Sequence, residues 1–338
     1  MKTAIVILNW NGVNYLKKFL PFLIQHTSIP DVAIYVADNG STDDSIQLLK
    51  TEFNSVMILP FDQNYGFAGG YNRALAQITA DYYLLLNSDV EVTNDWLAPM
   101  LAFMEKNWEV AACQPKILAY DQRTHFEHAG ASGGFIDFLG YPFCRGRILA
   151  AVEQDSGQYD AITDVFWATG ACLLIRSTSF HQCGGFDDEF FAHMEEIDLC
   201  WRLKSRGYRI VCVPQSVVYH VGGGTLHVEH PRKTYLNFRN NLLLLYKNLP
   251  QKQLNSVLFI RYFLDYIAAF QLFITGKPQN ALSVFKARRD FRKMLPKFKT
   301  KRKENLEQTT QTHISQIVRK SIILNYYLLG KKKFSELF

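Results

Sequence analysis

The first 95 residues alternate short apolar runs with segments of helical periodicity, and this alternation constrains the fold more than any other feature. The apolar runs have the length of single strands and lie at Ala4–Leu8, Val32–Ala37, Val56–Leu59 and Tyr82–Leu86. The segment after the first run has the i, i+3, i+4, i+7 spacing of one buried helix face, at Leu16, Phe19, Leu20 and Leu23. This β-α-β-α-β-α-β order predicts an α/β fold with a mostly parallel central sheet.

The fourth apolar run ends in three small polar residues, Asn87-Ser88-Asp89. An uncharged run such as Tyr82–Leu86 is typical of a strand that is buried on both faces. In open α/β sheets ligands bind at the carboxyl ends of strands, and an oxygen-rich strand end suits a hard divalent cation that carries phosphates. An ordinary strand-to-helix turn would have the same sequence, so this run alone leaves both interpretations open.

The loops after the earlier strands offer side-chain amides and a carboxylate. Asn9-Trp10-Asn11-Gly12 follows the first strand, where a nicotinamide-binding domain would need the spacing G-x-G-x-x-G. Asn9, Asn11 and Asp38 carry groups that could hydrogen-bond a base and a ribose. A glycine-rich turn between Asn64 and Arg73 then opens the next helix. Turn chemistry alone would also explain Asp38 and these glycines.

Taken in order, the segments IVILNWNG, VADNGSTDDS, NYGFAGGYNRAL and LLLNSDVEV resemble the nucleotide-sugar-binding half of an inverting family 2 glycosyltransferase with the GT-A fold. Within that family the sequence is most similar to the rhamnosyltransferase-like branch, which builds bacterial surface polysaccharides. The resemblance covers about the first 250 residues and depends on several ordered motifs together. It implies a Rossmann-like GT-A domain with a helical C-terminal extension.

The resemblance also implies a role for each loop. The family's Asp-x-Asp metal motif is Asn87-Ser88-Asp89 here, so an amide replaces the first carboxylate and Asp89 is the expected ligand of Mg²⁺ or Mn²⁺. Asp38 matches the position that reads the base. The nucleotide-sugar contacts implied in this way are Asn9, Asn11, Asp38, Asn64, Gly66, Arg73 and Asn87.

An acidic cluster, Glu195, Glu196 and Asp198, lies in the most specific stretch of the chain, GGFDDEFFAHMEEIDLCWR. If a helix begins near Glu195, then Glu195 and Asp198 share one face and Glu196 points elsewhere. Acids at a helix N-terminus are stabilised by the helix dipole and could pair with Arg202, which is a purely structural explanation. Displacement at an anomeric carbon by a hydroxyl, however, needs a base to accept the hydroxyl proton.

The resemblance assigns that base to the second acid of the pair, Glu196, where aspartate is usual in the family. Glu195 or Asp198 would then orient the acceptor or hold the loop. Nearby Trp167, Gly170, Phe186 and Phe190 could form a wall for a sugar ring. By resemblance His220 would complete the metal shell, beside a hinge formed by three glycines at 222–224.

The character of the chain changes after residue 228. The run Phe259–Ile274 is strongly apolar, is interrupted by Arg261 and Asp265, and is shorter than the roughly 20 residues of a membrane span. Basic residues follow it, as in an amphipathic region lying on an anionic membrane surface. A helical cap on the domain or a dimer interface would explain the same pattern. The net charge of +6 also permits nucleic-acid binding, but no aromatic-and-basic motif supports it.

Composition excludes a disordered protein, because 48% of the 338 residues are hydrophobic. The cysteines lack metal-ligand spacing and are predicted to be reduced core thiols, at positions Cys113, Cys144, Cys172, Cys183, Cys200 and Cys212. No basic segment with an apolar run and a cleavage site opens the sequence, so we expect no secretory signal. The catalytic part is expected in the cytoplasm, with peripheral contact to the inner face of the cell membrane.

The sequence therefore predicts a catalytic domain at 1–228, with a nucleotide-sugar half at 1–115 and an acceptor half at 116–228, followed by a basic helical region at 229–338. The expected reaction is inverting transfer of a sugar, with rhamnose as one candidate, from a dTDP-, UDP- or GDP-sugar to a saccharide or polyprenyl-diphosphate-linked acceptor. Asn87 and Glu196 also leave open an inactive carbohydrate-binding or scaffold protein. A sugar-phosphate nucleotidyltransferase would need a glycine- and lysine/arginine-rich first loop, which Asn9–Gly12 does not provide.

Overall fold

A computed structural model of the chain describes residues 1–27, 29–222 and 230–338. The α-helices in these residues are α1 (Val13–Gln25), α2 (Ser45–Glu52), α3 (Gly66–Leu75), α4 (Ala98–Lys106), α5 (Ser177–Gln182), α6 (Glu195–Ser205), α7 (Pro231–Asn248), α8 (Gln251–Ile274), α9 (Pro278–Glu307) and α10 (Ile322–Tyr327). The strands are β1 (Thr3–Asn9), β2 (Val32–Asp38), β3 (Met57–Pro60), β4 (Tyr82–Leu86), β5 (Val90–Val92), β6 (Val110–Ala119), β7 (Gly134–Asp137), β8 (Pro142–Cys144), β9 (Arg147–Ile148), β10 (Ala151–Val152), β11 (Thr163–Asp164), β12 (Cys172–Arg176), β13 (Arg209–His220) and β14 (Ile317–Val318).

The central sheet has the strand order β11-β13-β6-β12-β4-β1-β2-β3, and β5 pairs with β13. The strands from β3 to β4 are parallel, as the alternating pattern predicts. β12 then runs antiparallel between β4 and β6, so the second half of the sheet is mixed. Asn9 at the end of β1 is in register with Asp38 at the end of β2, which places the two polar loops side by side.

β4 lies inside the protein because both of its edges are paired and both of its faces are covered. Tyr83 and Leu85 join one hydrophobic core, while Tyr82, Leu84 and Leu86 join the core on the opposite face. This alternation follows from the two-residue period of a strand. All six cysteines are buried and free, in agreement with the prediction of reduced core thiols.

A second, smaller sheet forms from the glycine-rich stretch after Tyr120, with the order β10-β9-β8-β7-β14. Its last strand comes from the C-terminal region, since Ile317 of β14 pairs with Ile136 of β7 in parallel register. Residues after 229 therefore complete a sheet of the acceptor half. The predicted boundary at residue 228 lies outside the described residues, as do Gly223 and Gly224 of the predicted hinge.

Two elements are longer than the sequence predicts. The sequence predicts a last strand at Tyr208–Val213, and this strand, β13, continues through a bulge to His220 because it keeps pairing with β6 and then with β5. α8 has 24 residues and is, within the described chain, the helix that is long and apolar enough to cross a membrane by length and composition. The argument that Phe259–Ile274 is too short for a span was wrong, because the helix begins eight residues earlier at Gln251.

Candidate active site

Asp38 and Asn9 meet at the carboxyl ends of β2 and β1, and both are fully buried. The Asn9 side-chain amide donates to an Asp38 carboxylate oxygen at 3.0 Å and to the Ser41 hydroxyl at 3.2 Å. The second carboxylate oxygen of Asp38 accepts a hydrogen bond from the Ser41 amide at 2.9 Å. These bonds fix the orientation of the Asp38 carboxylate at the edge of the sheet where a base is expected to bind.

Asn39 organises the turn before α3, although the sequence analysis did not single it out. Its side-chain amide donates to the Asn64 side-chain oxygen at 3.1 Å and to the Gly66 carbonyl at 3.0 Å. Its own oxygen accepts from the Tyr65 amide at 3.0 Å. Asn11 plays a similar part in the first loop, because its side-chain oxygen accepts from the Thr42 amide at 2.7 Å. Asn11 and Asn64 thus shape the loops.

Gly66 lies where the nucleotide-sugar half predicted at 1–115 contacts the acceptor half predicted at 116–228. Its φ is +74°, and a Cβ there would lie 2.5 Å from the Phe191 carbonyl oxygen. That oxygen accepts hydrogen bonds from the amides of Phe67 and Ala68, at 2.6 and 3.2 Å, in the first turn of α3. Arg73 lies at the rim of this region, half exposed, with its guanidinium carbon 3.6 Å from the centre of the Tyr65 ring.

Asp89, His220 and Glu127 form a buried cluster at the end of β4. The pairing of β5 with β13 brings them together, because His220 is in register with Val90. His220 Nε2 lies 3.1 Å from an Asp89 oxygen, and His220 Nδ1 lies 3.4 Å from a Glu127 oxygen. Asn87 is adjacent, with its amide nitrogen 3.4 Å from His220 Nε2.

The two carboxylates beside His220 favour the protonated form of its imidazole. Burial disfavours its charge, but the hydrogen bonds to Asp89 and Glu127 outweigh burial and raise the pKa of His220 to about 10. The same contacts outweigh the burial of the two carboxylates and lower the pKa of Asp89 and the pKa of Glu127. Sequence reasoning missed Glu127, because it lies in a stretch with no periodicity or motif.

The cluster fits a divalent cation that protein and diphosphate hold together. Asp89 and His220 bring an oxygen and a nitrogen within 3.1 Å of each other, and one or two protein ligands suffice when phosphates and water supply the rest. Across the described ranges, no three His, Cys, Asp or Glu side chains form a complete metal shell. Because His220 must lose a proton to bind a metal, metal affinity should increase with pH.

The loop before α6 is held in a strained backbone conformation. Three of its residues have positive φ, namely Phe191, His193 and Met194. Such conformations cost energy and persist only where the surroundings fix them. Asn240 of α7 provides this support, because its side-chain amide donates to the carbonyls of Phe190, Ala192 and His193 at 2.7 to 2.9 Å. The C-terminal region therefore positions the start of α6.

Glu195 and Glu196 occupy the first turn of α6. Glu195 is buried and Glu196 is half-buried, and one oxygen of each carboxyl group lacks a hydrogen-bond partner among the described residues. Burial raises the pKa of Glu196 to about 7. Burial, and then the charge of Glu196, raise the pKa of Glu195 well above its ordinary value. Glu196 is therefore the acid of this pair whose ionised form is well populated at neutral pH.

Asp198 is a structural residue. Its side chain is fully buried, and its oxygens accept from Arg202 at 2.8 Å, Lys247 at 2.9 Å and Asn248 at 2.8 Å. Burial opposes its charge, but Lys247 and Arg202 outweigh burial and lower the pKa of Asp198 to about 2. These bonds tie the first turn of α6 to α7, so the structure favours the holding role of Asp198 over the role of orienting the acceptor.

The predicted aromatic wall for a sugar ring is part of the core instead. Trp167, Phe186 and Phe190 are each at most 3% exposed. The Trp167 indole N–H donates to the Phe135 carbonyl at 2.9 Å, and Phe186 packs edge-on against the Phe67 ring. A sugar cannot stack on rings that the protein already covers.

Glu196 and Glu127 of the Asp89–His220–Glu127 cluster both affect one buried thiol, that of Cys144. Burial raises the pKa of the Cys144 thiol, and the negative charges of Glu127 and Glu196 add to this effect. Both carboxylates therefore lie near Cys144. Glu196 and Glu127, a member of the Asp89–His220–Glu127 cluster, therefore lie within electrostatic range of the same buried thiol.

Comparison with known proteins gives a family match and curated relatives. The family model described as "Glycosyl transferase family 2" matches residues 4–180. N-acetylglucosaminyl-diphospho-decaprenol L-rhamnosyltransferase of Mycobacterium tuberculosis is 29% identical over 231 residues, which cover 64% of this chain and 75% of the relative. Rhamnosyltransferase WbbL of Escherichia coli K12 is 26% identical over 263 residues, which cover 75% of this chain and 94% of the relative.

Solved structures show the same fold. Residues 1–349 of S. aureus TarS, in complex with UDP-GlcNAc, align with a TM-score of 0.58 at 14% identity, over 91% of this chain and 89% of that one. GalNAc-T7 with UDP, GalNAc and Mn²⁺ aligns with a TM-score of 0.56 at 14% identity, over 86% of this chain and 54% of that one. These glycosyltransferases have the GT-A fold, and so does this chain.

Proposed function

The chain belongs to glycosyltransferase family 2, in its rhamnosyltransferase-like branch, and from this premise we propose that it transfers a sugar from a nucleoside diphosphate donor with inversion at the anomeric carbon. One observation carries the proposal. Glu196, with a pKa of about 7, and Glu127 of the Asp89–His220–Glu127 cluster both lie within electrostatic range of the Cys144 thiol. A base with a pKa near the working pH, placed beside a site for a leaving diphosphate, suits direct displacement.

In the proposed reaction the acceptor oxygen bonds to the anomeric carbon while the bond from that carbon to the diphosphate oxygen breaks. Glu196 takes the acceptor proton. Asp38 and Asn9 bind the base, and Asp89 and His220 hold Mg²⁺ or Mn²⁺. The metal, when bound, neutralises charge on the departing diphosphate. Burial and the charge of Glu196 raise the pKa of Glu195, so Glu196 is the carboxylate of the pair that ionises first.

The relatives support a donor and an acceptor class. The name of the M. tuberculosis protein specifies L-rhamnose and a diphospho-decaprenol acceptor. We therefore propose a dTDP-, UDP- or GDP-activated sugar, with rhamnose first, and a saccharide or polyprenyl-diphosphate-linked saccharide acceptor in surface polysaccharide synthesis. A lipid-linked acceptor places the enzyme at the inner face of the cell membrane.

A second candidate is a carbohydrate-binding or scaffold protein without transferase activity. The observation that favours it is the ion pair between protonated His220 and Asp89, which a metal must disrupt, next to an amide at Asn87 in place of the usual first carboxylate. Such a protein would still bind a nucleotide sugar through Asp38.

Both candidates are tested by measuring donor binding and turnover with dTDP-rhamnose and with UDP- and GDP-sugars in the presence of Mn²⁺. For the transferase, one donor is turned over, Glu196→Gln and Asp89→Ala lose turnover, and Glu52→Gln, an exposed acid on α2, keeps it. Donor binding without turnover with any soluble or lipid-linked acceptor would favour the binding protein.

A further inference from the structure

α8 has two faces of opposite character. Its buried face consists of Leu254, Val257, Arg261, Asp265 and Ala269, which recur every three or four residues. The opposite face exposes large apolar side chains at 53% to 66% of their surface: Phe259, Phe263, Ile267, Phe270 and Ile274. Only 22% of the most apolar stretch of the helix is buried. A row of exposed aromatic and aliphatic side chains of this length marks an interaction surface.

The exposed row continues onto α9. Tyr266 of α8 lies 5.1 Å from the Phe285 ring of α9, between ring centroids, and Phe285 is itself exposed. Leu282, one turn before Phe285, is exposed as well. We call this continuous surface, the exposed row of α8 together with Leu282 and Phe285, the apolar face.

A buried ion cluster fixes α8 to the body of the protein. Arg261 pairs with Asp265 at 3.1 Å and donates to the Leu139 carbonyl at 2.9 Å, and Arg288 of α9 donates to the same aspartate. Crossing a bilayer would strip these charges of their partners and expose them to lipid, which is costly. α8 therefore stays on the protein surface, with only its outer face available to a partner.

The exposed side of α9 carries cations along the rest of its length: Lys286, Arg289, Arg292, Lys293, Lys297, Lys299 and Lys303. These residues lie on the exposed half of the helix that also carries Leu282 and Phe285. An apolar row bordered by cations is complementary to a lipid surface with anionic headgroups. A second copy of the chain would bring a second set of the same charges to this border, and the two sets would repel each other.

We propose that the apolar face is a membrane-docking surface, which inserts into one leaflet of a bilayer containing anionic phospholipid. α8 lies in the plane of the interface, and the cations of α9 contact the headgroups. This inference depends on the two helices alone and is independent of the proposed reaction.

The test is co-flotation of the full chain with vesicles of phosphatidylcholine, with and without about one third phosphatidylglycerol. We expect binding to the anionic vesicles only. The combined variant Phe259→Ser, Phe263→Ser, Phe270→Ser should weaken that binding at least about tenfold. The matched control is Trp108→Ser, which removes an aromatic side chain that is 81% exposed elsewhere and should leave binding unchanged.

The second part of the test concerns the cations. It compares vesicle binding by the double variant Lys293→Glu, Lys299→Glu with binding by a control double variant on α1 and α2, Lys17→Glu, Lys50→Glu. The first double variant should lose vesicle binding and the control should keep it. Higher salt should weaken vesicle binding by the wild-type protein in the same way. Unchanged thermal unfolding of each variant by circular dichroism excludes misfolding as the cause. Undiminished vesicle binding by the triple variant overturns the proposal. The proposal is also overturned if the wild-type protein is a dimer in solution that does not bind vesicles, and the triple variant is a monomer.

Discussion

At the scale of single residues, the ionisation of Glu196 sets the pH at which the proposed enzyme works. Glu196 must be ionised to accept a proton, and its pKa is raised to about 7. Because the active form is the deprotonated one, kcat/KM should increase about tenfold per pH unit below that pKa and level off above it. Glu196→Gln should lower the rate by about 10²- to 10⁴-fold. The measurement is a pH–rate profile at saturating Mn²⁺.

Glu196→Asp provides the control for this prediction, because it keeps a carboxylate and should keep an ascending limb at reduced rate. A wild-type profile that stays flat between about pH 5.5 and 8 would assign the base to another group.

We expect Glu127 to affect the metal affinity of the site through its contact with His220. Its contact with His220 Nδ1 leaves Nε2 directed at Asp89, and such partners orient metal-binding histidines. We expect Glu127→Gln to weaken Mn²⁺ binding about 10- to 100-fold, as followed by titration of the free Mn²⁺ electron paramagnetic resonance signal with nucleoside diphosphate present. The control is Glu91→Gln, a nearby acid that pairs with Arg123. Equal Mn²⁺ affinity in both variants would show that Glu127 has no such role.

At the scale of elements, Asp198 connects α6 to α7 and should make stability depend on pH. Its pKa in the folded protein, about 2, lies below its ordinary value of 3.8. The stabilisation is therefore complete above about pH 4 and is lost as the pH falls through about 2. Asp198→Asn should lower the free energy of unfolding by about 3 kcal/mol at pH 7 and by less near pH 3.

Urea unfolding at several pH values tests this, with Asp121→Asn, an exposed aspartate, as the control. A loss of stability in Asp198→Asn that is equal at pH 3 and pH 7 would contradict the ion-pair explanation.

At the scale of the whole molecule, the C-terminal helices and the catalytic part share one core. Lys247 of α7 pairs with both Asp187 and Asp198, and Phe334 near the end of the chain packs 5.0 Å from the Phe135 ring of β7. We therefore expect a single cooperative transition in calorimetry. Lys247→Ala should lower the midpoint temperature of the whole transition, because this change leaves two buried carboxylates without their cation. Two separate transitions, with only one shifted, would show independent domains.

The sequence could predict the structure of the nucleotide-sugar half, residues 1–115, because the sequence patterns of that half are local. The parallel sheet and the strand ends follow from the alternating pattern, and the contact of Asn9 with Asp38 follows from the parallel register of β1 and β2. The placement of Asp89 at the end of β4 follows in the same way.

The acceptor half could be predicted only in part, because its geometry depends on partners that are distant in sequence. Lys247 lies 49 residues after Asp198, and Asn240 lies 50 residues after Phe190, with no motif to link them. Glu127 was missed for a related reason, because it lies in a stretch without a sequence pattern. Asp198 looked like a substrate-binding acid because a sequence does not show which charges the fold will neutralise.

The contact of Gly66 with Phe191 also limits how this enzyme can be redesigned. A chimera that exchanges the nucleotide-sugar half for that of a relative, to change the sugar it accepts, places the relative's residue at position 66 against an unchanged loop. Any side chain there would collide with the Phe191 carbonyl and push away the loop that carries Glu196. Exchanges of donor preference must therefore keep this glycine, or replace the loop before α6 together with it.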